Sequence, residues 1–191
     1  MTPTGLAAVF AIGVVAVVVG FLVLSIYNAV VALRLRIDKA WANIDVALKQ
    51  RHDLLPNLVE AVRGVMAWER DVLTEVTRAR AAYSPDAPIP EQAATSQATS
   101  AAVRSLFAVV EQYPEVRSQA NVLDLQDEIE RLEGIIADRR ELYNDQVYRH
   151  NARIAQVPAV FLAALFGWRP RPFFQAGDSE RLRFDADIRP A

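Results

Sequence analysis

The residues best suited to chemistry are His52, Asp53 and Glu60. His52 and Asp53 are adjacent, and Glu60 follows His52 by about two helical turns, so the three side chains could share a face. A hydrolase or metal-dependent enzyme would need such groups to converge in one pocket. A metal site normally uses three or more protein ligands, and the sequence has neither HExxH nor a histidine four positions from another. We therefore predict no metal site and no cofactor.

Other enzyme signatures are missing from the sequence. The chain has 0 Cys and 7 Gly, and it contains no GxGxxG, no P-loop and no GxSxG. A formal net charge of -2 argues against general binding to nucleic acid. We expect no catalytic residues and no enzyme activity. An enzyme with an unrecognised site near His52, Asp53 and Glu60 is the alternative.

Polar side chains occur where the helical pattern requires buried apolar ones. Arg51, Arg139 and Gln146 fall on inward stripes, where an unpaired charge would cost several kcal/mol. Acidic or amide partners should therefore lie opposite, and four are available nearby: Asp45, Asp53, Asn57 and Glu60. Two interpretations remain open. The polar residues either fix the register inside a bundle, or form a polar groove or partner-docking face along the first and third helices.

The amino-terminal segment is apolar enough to cross a membrane. No charged residue occurs in 1–33, and 6–31 exceeds the roughly 20 residues that span a bilayer core. No Lys or Arg precedes this segment, which favours an uncleaved signal-anchor over a cleaved signal peptide. Arg34, Arg36 and Lys39 follow it. The positive-inside rule then predicts a short N-terminus outside and the rest of the chain in the cytoplasm.

Apolar residues at alternating steps of three and four predict long helices after the membrane segment. Pro56 should kink or briefly break the first helix at Leu55, because proline lacks the amide donor. Asn121 is a candidate N-cap for the third helix. The predicted elements are a first helix from 37 to about 82, a loop over 83–90, a second helix from about 91 to 113, a third over 121–156, and a short fourth over 159–166 stopped by Gly167.

These elements predict an all-α protein. An N-terminal transmembrane helix is followed by an elongated antiparallel bundle of long helices, three long plus one short, because short connections bring only antiparallel neighbours together. The predicted division is 1–33 for the short outer N-terminus and the transmembrane helix, 34–176 for the bundle, and 177–191 for a flexible C-terminal tail.

Several motifs in these helices match a known family. They are Tyr27-Asn28, the stretch from Asp38 through Trp41, Asn43 and Asp45 to Val46, the stretch from Arg51 through Asp53 and Pro56 to Val59, Leu106 to Pro114, Leu125-Gln126, Tyr143-Asn144, Phe166-Gly167 and Phe173-Phe174. Together they resemble the LemA family of bacterial membrane proteins over almost the whole chain. Small departures are His150-Asn151 where the family often has Tyr-Asn, Val157-Pro158 where it tends to have Phe-Pro, and Trp168 where Phe is usual.

The resemblance implies a single-pass protein of the bacterial inner membrane with a cytoplasmic helical bundle and no enzyme activity. Family members are often encoded near TPM-domain proteins or a membrane metalloprotease, which suggests protein partners among membrane or envelope-stress proteins. A non-enzymatic scaffold or adaptor is the favoured function, and a coiled coil that relays a signal across the membrane is a further one. A break in the helix at Leu33 would count against the relay.

The candidate residues either dock a partner or define the bundle: Trp41, Asn43, Asp45, Arg51, Asp53, Pro56, Asn57, Glu60, Tyr143 and Asn144. Around Pro56 both interpretations can be stated physically. Asp53 and Asn57 could hydrogen-bond backbone groups that the proline leaves without a partner, or they could form an exposed docking point.

Overall fold

The computed structural model describes residues 3–63 and 69–175. These residues form helices and no strand, as the sequence predicts. The helices are α1 (Pro3–Arg63), α2 (Arg70–Ala81), α3 (Ile89–Val110), α4 (Pro114–Arg117), α5 (Ala120–Ala155) and α6 (Ala159–Phe166). The protein is therefore an all-α helical bundle with one long apolar N-terminal helix.

Helix α1 decides between the two outcomes expected at Pro56 as far as a break is concerned. Of the kink or short break predicted at Leu55, the break is absent, because α1 runs through Leu33 and Pro56 to Arg63. Leu55 precedes the proline and Leu58 and Val62 follow it, yet all three are buried in the same apolar cluster. Packing on both sides of Pro56 therefore keeps the chain helical, although the proline still removes one backbone hydrogen bond.

The helix expected to continue to about residue 82 is divided in two. Helix α1 ends at Arg63, and a separate helix, α2, begins at Arg70. Leu73 and Val76 of α2 are buried in the cluster that also holds Val62 and Leu106. If α1 continued straight, each further position would lie 1.5 Å farther from this cluster along the helix axis. Burial of Leu73 and Val76 in the cluster therefore requires a second helix.

The other helices lie close to their predicted positions. Helix α3 begins two residues earlier than expected, and its Ala- and Ser-rich first half is buried through small side chains such as Ala93 and Ser96. The short α4 was not predicted. Helix α5 begins at Ala120, so Asn121 lies inside it and is not its N-cap. Helix α6 has the predicted bounds, and Gly167 ends it with φ +65°, a left-handed conformation that glycine adopts readily.

The chain divides into two compact units. Unit 1 comprises Met1–Lys39 and Asp145–Arg171, and unit 2 comprises Ala40–Asn144 and Pro172–Ala191. The core of unit 2 joins buried apolar residues of α1, α2, α3, α4 and α5. The smaller core of unit 1 joins Ile26 and Val30 of α1 to Ile154 of α5 and to Ala159 and Ala163 of α6. The predicted tail at 177–191 lies outside the described residues.

The amino-terminal part of α1 has the properties of a membrane span. From Phe10 onward the helix is long and apolar enough to cross a bilayer, and little of its most apolar stretch is buried by the protein itself. Phe10, Val18 and Leu24 are among its exposed side chains. This arrangement supports anchoring of the chain in a membrane.

Candidate functional site

Arg51 of α1 is the centre of a buried polar network in unit 2. Its side chain is 3% exposed and lies 2.6 Å from Glu133 Oε1 of α5. The same guanidinium donates to the hydroxyl of Ser100, 2.8 Å away, and to the hydroxyl of Ser96, 3.0 Å away. Ser100 also donates to Glu133 Oε2 at 2.6 Å. One charge pair and two hydroxyls therefore join α1, α3 and α5, and they satisfy the buried cation.

The sequence correctly predicted that Arg51 needs an acidic partner, but the expected partners were wrong. None of Asp45, Asp53, Asn57 and Glu60 pairs with Arg51 within the described residues; Glu133 does. Glu133 follows the buried Leu132 on α5, so it stands beside the apolar stripe rather than on it. Charged residues that flank a predicted stripe were therefore the signal that could have identified this partner.

A groove opens beside this network. It encloses about 270 Å³, and its lining includes Ser96, Ser100, Glu133, Arg104 and Arg140. Arg51 itself is not among the lining residues, whereas its partners Ser96, Ser100 and Glu133 are. The groove therefore presents polar groups that already hydrogen-bond to one another, flanked by two further guanidinium groups.

The other two inward polar residues are less buried. Arg139 is half-buried and donates to the backbone carbonyl of Asn43, 2.5 Å away. Gln146 donates to Asp145 at 3.0 Å, and its own carbonyl oxygen is buried without a partner in the described structure. The partner of Arg139 is a backbone group, which residue types alone could not reveal.

Trp41, Tyr143 and Asn144 hold the segment that follows α6 onto unit 2. Asn144 binds the backbone of Phe174 in both directions, accepting from its N–H at 2.8 Å and donating to its carbonyl at 3.3 Å. Tyr143 donates to the carbonyl of Pro172 at 2.9 Å. The Trp41 ring lies 5.8 Å from that of Tyr143 and 5.7 Å from that of Phe174. These contacts support a bundle-defining role for the three residues.

Asn151 makes the same paired contact in unit 1, although it is not among the residues that the sequence predicted to dock a partner or define the bundle. Its side chain donates to the carbonyl of Arg171 at 3.0 Å and accepts from the Arg171 N–H at 2.8 Å. Asn144 and Asn151 are two helical turns apart on α5, so their spacing was a usable signal. Neighbouring His150 is buried, and its Nδ1 lies 3.2 Å from Asn151 Oδ1.

Asp45 and His52 both contact the loop residue Tyr83. The rings of His52 and Tyr83 lie 5.0 Å apart, and the Tyr83 hydroxyl makes a long hydrogen bond of 3.5 Å to Asp45. Burial and, to a smaller extent, the Asp45 carboxylate raise the pKa of Tyr83 above its usual value. Burial and the Asp45 carboxylate both favour the neutral Tyr83 phenol. The phenol therefore keeps the proton that it donates to Asp45.

Glu60 does not share the surroundings of His52 and Asp53. His52 Nδ1 lies 3.3 Å from Asp53 Oδ1. Glu60 instead lines a separate groove with Pro56 and Arg80, and neither His52 nor Asp53 lines that groove. Across residues 3–63 and 69–175, no group of three or more acidic or histidine side chains is placed to hold a metal ion.

A continuous row of exposed residues follows α1 through unit 2. We call this row the α1 stripe; its spacing alternates between three and four, and its members are Asn43, Val46, Gln50, Asp53, Asn57 and Glu60. Asn57 and Glu60 make no side-chain hydrogen bond or ion pair to any described residue, and the Asp53 side chain hydrogen-bonds only His52 among them. Within the motif around Pro56, Leu55 and Leu58 are buried while Asp53 and Asn57 remain exposed.

Comparison with known proteins assigns this helical arrangement to a family. The model of the LemA family matches residues 40–187, which is most of the chain. The chain belongs to the LemA family. The α1 stripe, Arg51 and the Tyr143-Asn144 pair of this LemA family chain all lie within the matched region.

Two curated relatives come from Paramagnetospirillum magneticum. They are named magnetosome protein MamQ 1 and magnetosome protein MamQ 2, and each is 36% identical to this chain over 81 residues. The match covers 41% of this chain and 30% of either relative, so the chain spans less than a third of their length. Membership of the LemA family and this similarity fit a membrane-associated helical protein.

Proposed function

We propose that this LemA family chain is a non-enzymatic, membrane-tethered scaffold or adaptor in the bacterial cell envelope. In this proposal, α1 anchors the chain in the inner membrane and the α1 stripe binds a protein partner. The partner belongs to the class of membrane or envelope-stress proteins, which the family resemblance suggests.

The exposure of Asn57 is the observation that carries this proposal. If Asn57 served to compensate for Pro56, its amide would hydrogen-bond a backbone group of α1, but none of its described neighbours accepts from it or donates to it. A polar side chain with no internal partner can bind another molecule without first losing a bond. Val46, exposed at the same stripe, adds apolar area that an interface could bury.

The charge pattern supports an orientation for the anchor. Arg34, Arg36 and Lys39 follow the apolar segment, and the positive-inside rule places such residues in the cytoplasm. The α1 stripe then faces the cytoplasm. Because the chain has no cysteine, a single cysteine at exposed Leu142 should react with a membrane-impermeant maleimide only after the cells are opened. Labelling of intact cells would reverse the orientation.

Site-specific photocrosslinking in native membranes tests the docking proposal. A photoreactive amino acid replaces Asn57 in one variant and Glu60 in another, both on the α1 stripe. The matched control carries it at Glu130, an exposed residue of α5. We expect one discrete protein adduct from both stripe positions and none from Glu130, with mass spectrometry identifying the partner.

A second change shows whether the adduct depends on the stripe. Val46→Glu places a charge at the exposed apolar position three turns before Asn57, and it should abolish the adduct from Glu60 while leaving helix content unchanged by circular dichroism. If the probe at Glu130 gave the same adduct as the probes at Asn57 and Glu60, docking at the α1 stripe would be contradicted. An adduct from Glu60 that persists with Val46→Glu would contradict it too. Cross-links only within the chain would also contradict it.

A further inference from the structure

Helix α6 has no polar side chain. Its sequence is Ala-Val-Phe-Leu-Ala-Ala-Leu-Phe from Ala159 to Phe166. Ala159 and Ala163 form its buried face and pack with Ile26 and Val30 of α1. Small alanine side chains let the two helices approach closely, and Leu162 packs partly buried against the same core.

Apart from Leu162, the large side chains of α6 are exposed. Phe161 is 71% exposed and Leu165 is 75% exposed, and Val160 and Phe166 are also exposed. Val157, just before the helix, is exposed as well. A helix that faced water on this side would carry polar residues there, so this contiguous apolar surface indicates a partner that is itself apolar.

The position of α6 in unit 1 identifies that partner. Its buried face contacts α1 at Ile26 and Val30, immediately after the exposed apolar stretch that ends at Leu24. The outer surface of α6 therefore continues the apolar surface of the candidate membrane span. A bilayer that covers Val18 and Leu24 reaches its polar boundary close to α6.

The residues around α6 have the composition of a membrane interface. Tyr27, Phe166 and Trp168 form an aromatic cluster with ring centroids 5.4 Å apart for Tyr27 and Phe166 and 5.3 Å apart for Phe166 and Trp168. Tyr and Trp are enriched where hydrocarbon meets headgroups. The exposed Arg169 follows directly, and long cationic side chains reach headgroups from such positions.

We propose that α6 is a second membrane contact, inserted by its Phe161 and Leu165 face into the boundary between headgroups and acyl chains of the bilayer that α1 spans. The proposal rests on anchoring by α1. A single span can rotate about its axis, whereas a span with an adjoining interfacial helix has one preferred rotation. Helix α6 would therefore fix the orientation of unit 1 relative to the membrane.

Fluorescence quenching in reconstituted full-length protein tests this proposal. The chain has no cysteine, so single cysteines at Phe161 and Leu165 can carry an environment-sensitive fluorophore without other changes. Val18→Cys is the control for lipid exposure. Leu142→Cys, at an exposed position of α5, is the control for water exposure. All four positions are exposed, so the fold should tolerate each label.

We expect lipids spin-labelled on the acyl chain near the headgroup to quench Phe161→Cys and Leu165→Cys strongly. Lipids spin-labelled deep in the acyl chain should quench Val18→Cys more than they quench either α6 position. Aqueous iodide should quench Leu142→Cys several-fold more than it quenches either α6 position.

The proposal for α6 and the anchoring by α1 fail in different ways. If iodide quenched the α6 positions as strongly as Leu142→Cys while lipids still quenched Val18→Cys, the α6 proposal would be overturned and anchoring would remain. Protection from both quenchers would indicate a second copy of the chain over α6 and would also overturn it. Iodide quenching at Val18 would overturn anchoring itself.

Discussion

The two halves of helix α1 have opposite surfaces. In its first half, Phe10, Val18 and Leu24 are apolar and exposed. In its second half, Leu55 and Leu58 are buried, and most exposed positions carry polar residues such as Asn57. Along one unbroken helix, the apolar side chains are thus exposed in the first half and buried in a core in the second.

This difference shows that whether an apolar side chain is buried depends on the surrounding solvent as well as on the residue type. An apolar side chain in lipid is already out of water, so burying it against protein adds little hydrophobic stabilisation. In water the same side chain is stabilised by burial in a core. The first half of α1 can therefore leave its apolar residues facing outward, whereas the second half needs partners from α2, α3 and α5.

Truncating a leucine in each half should give the largest contrast. Leu58→Ala leaves a cavity in the core of unit 2, and we expect it to lower the free energy of unfolding by about 2–5 kcal/mol. Leu24→Ala, at an exposed position, should change it by less than about 0.5 kcal/mol. Denaturant unfolding in detergent, followed by circular dichroism, measures both. Equal losses would mean that the first half of α1 is also packed core.

Neutralising Glu133 tests whether polar burial in the second half depends on charge pairing. Glu133→Gln leaves the Arg51 cation, 3% exposed, without a counter-charge. We expect a loss of about 2 kcal/mol in unfolding free energy, below the cost for a fully buried pair because Glu133 is 30% exposed.

The matched control for Glu133 is Glu128→Gln on the same helix. Glu128 pairs with Arg131 at 2.6 Å, but both side chains lie at the surface. Its loss should lower the free energy of unfolding far less than the loss of Glu133 does, because solvent screens an exposed pair. If the two variants lost equal stability, the Arg51 network would be no stronger than a surface ion pair.

Replacing Pro56 measures how much stability the proline costs the second half of α1. Because α1 is helical through Pro56, Pro56→Ala restores a backbone donor and should raise the free energy of unfolding by about 1 kcal/mol. This gain is smaller than the full helix penalty of proline, since the half-buried ring loses its packing. Thermal unfolding measures the change. A lower unfolding temperature would show that the proline ring contributes more by packing than it costs.

The smallest effect concerns His150 in unit 1. Burial lowers its pKa below the usual value, with further lowering by Arg171 and Arg34, against the hydrogen bond to Asn151. Below about pH 6.5 the unfolded chain therefore binds a proton that the folded chain does not. The contribution of neutral His150 to the free energy of unfolding is therefore complete above this pH and is lost as the pH falls below it.

The pH dependence of His150→Gln isolates this contribution. The variant should lose stability less steeply below about pH 6.5 than the unmodified chain, by at most about 1.4 kcal/mol per pH unit, which is the effect of one proton. Unfolding curves at several pH values provide the two slopes. Identical slopes would show that His150 titrates alike in the folded and unfolded chains.

Local sequence patterns predicted most helix positions but not every contact between them. The apolar stripe of α5 set its bounds to within one residue, and Gly167 correctly marked the end of α6. Of the kink or short break predicted at Leu55, the break was wrong, because local rules count the amide donor lost at Pro56 but not the core on both sides of it. The pairing of Arg51 with Glu133 was missed because it joins residues 82 positions apart.

The sequence by itself determined that the chain is helical, that its first segment is apolar enough for a membrane, and that its family motifs resemble LemA. Each property depends on periodicity, composition or spacing within one segment. Only the tertiary structure decided that Arg51 pairs with Glu133, that Asn57 is exposed and hydrogen-bonds to none of the described residues, and that α6 presents an apolar face outward. These outcomes depend on which helices become neighbours, and that choice is made by the packing of the whole core rather than by any one segment.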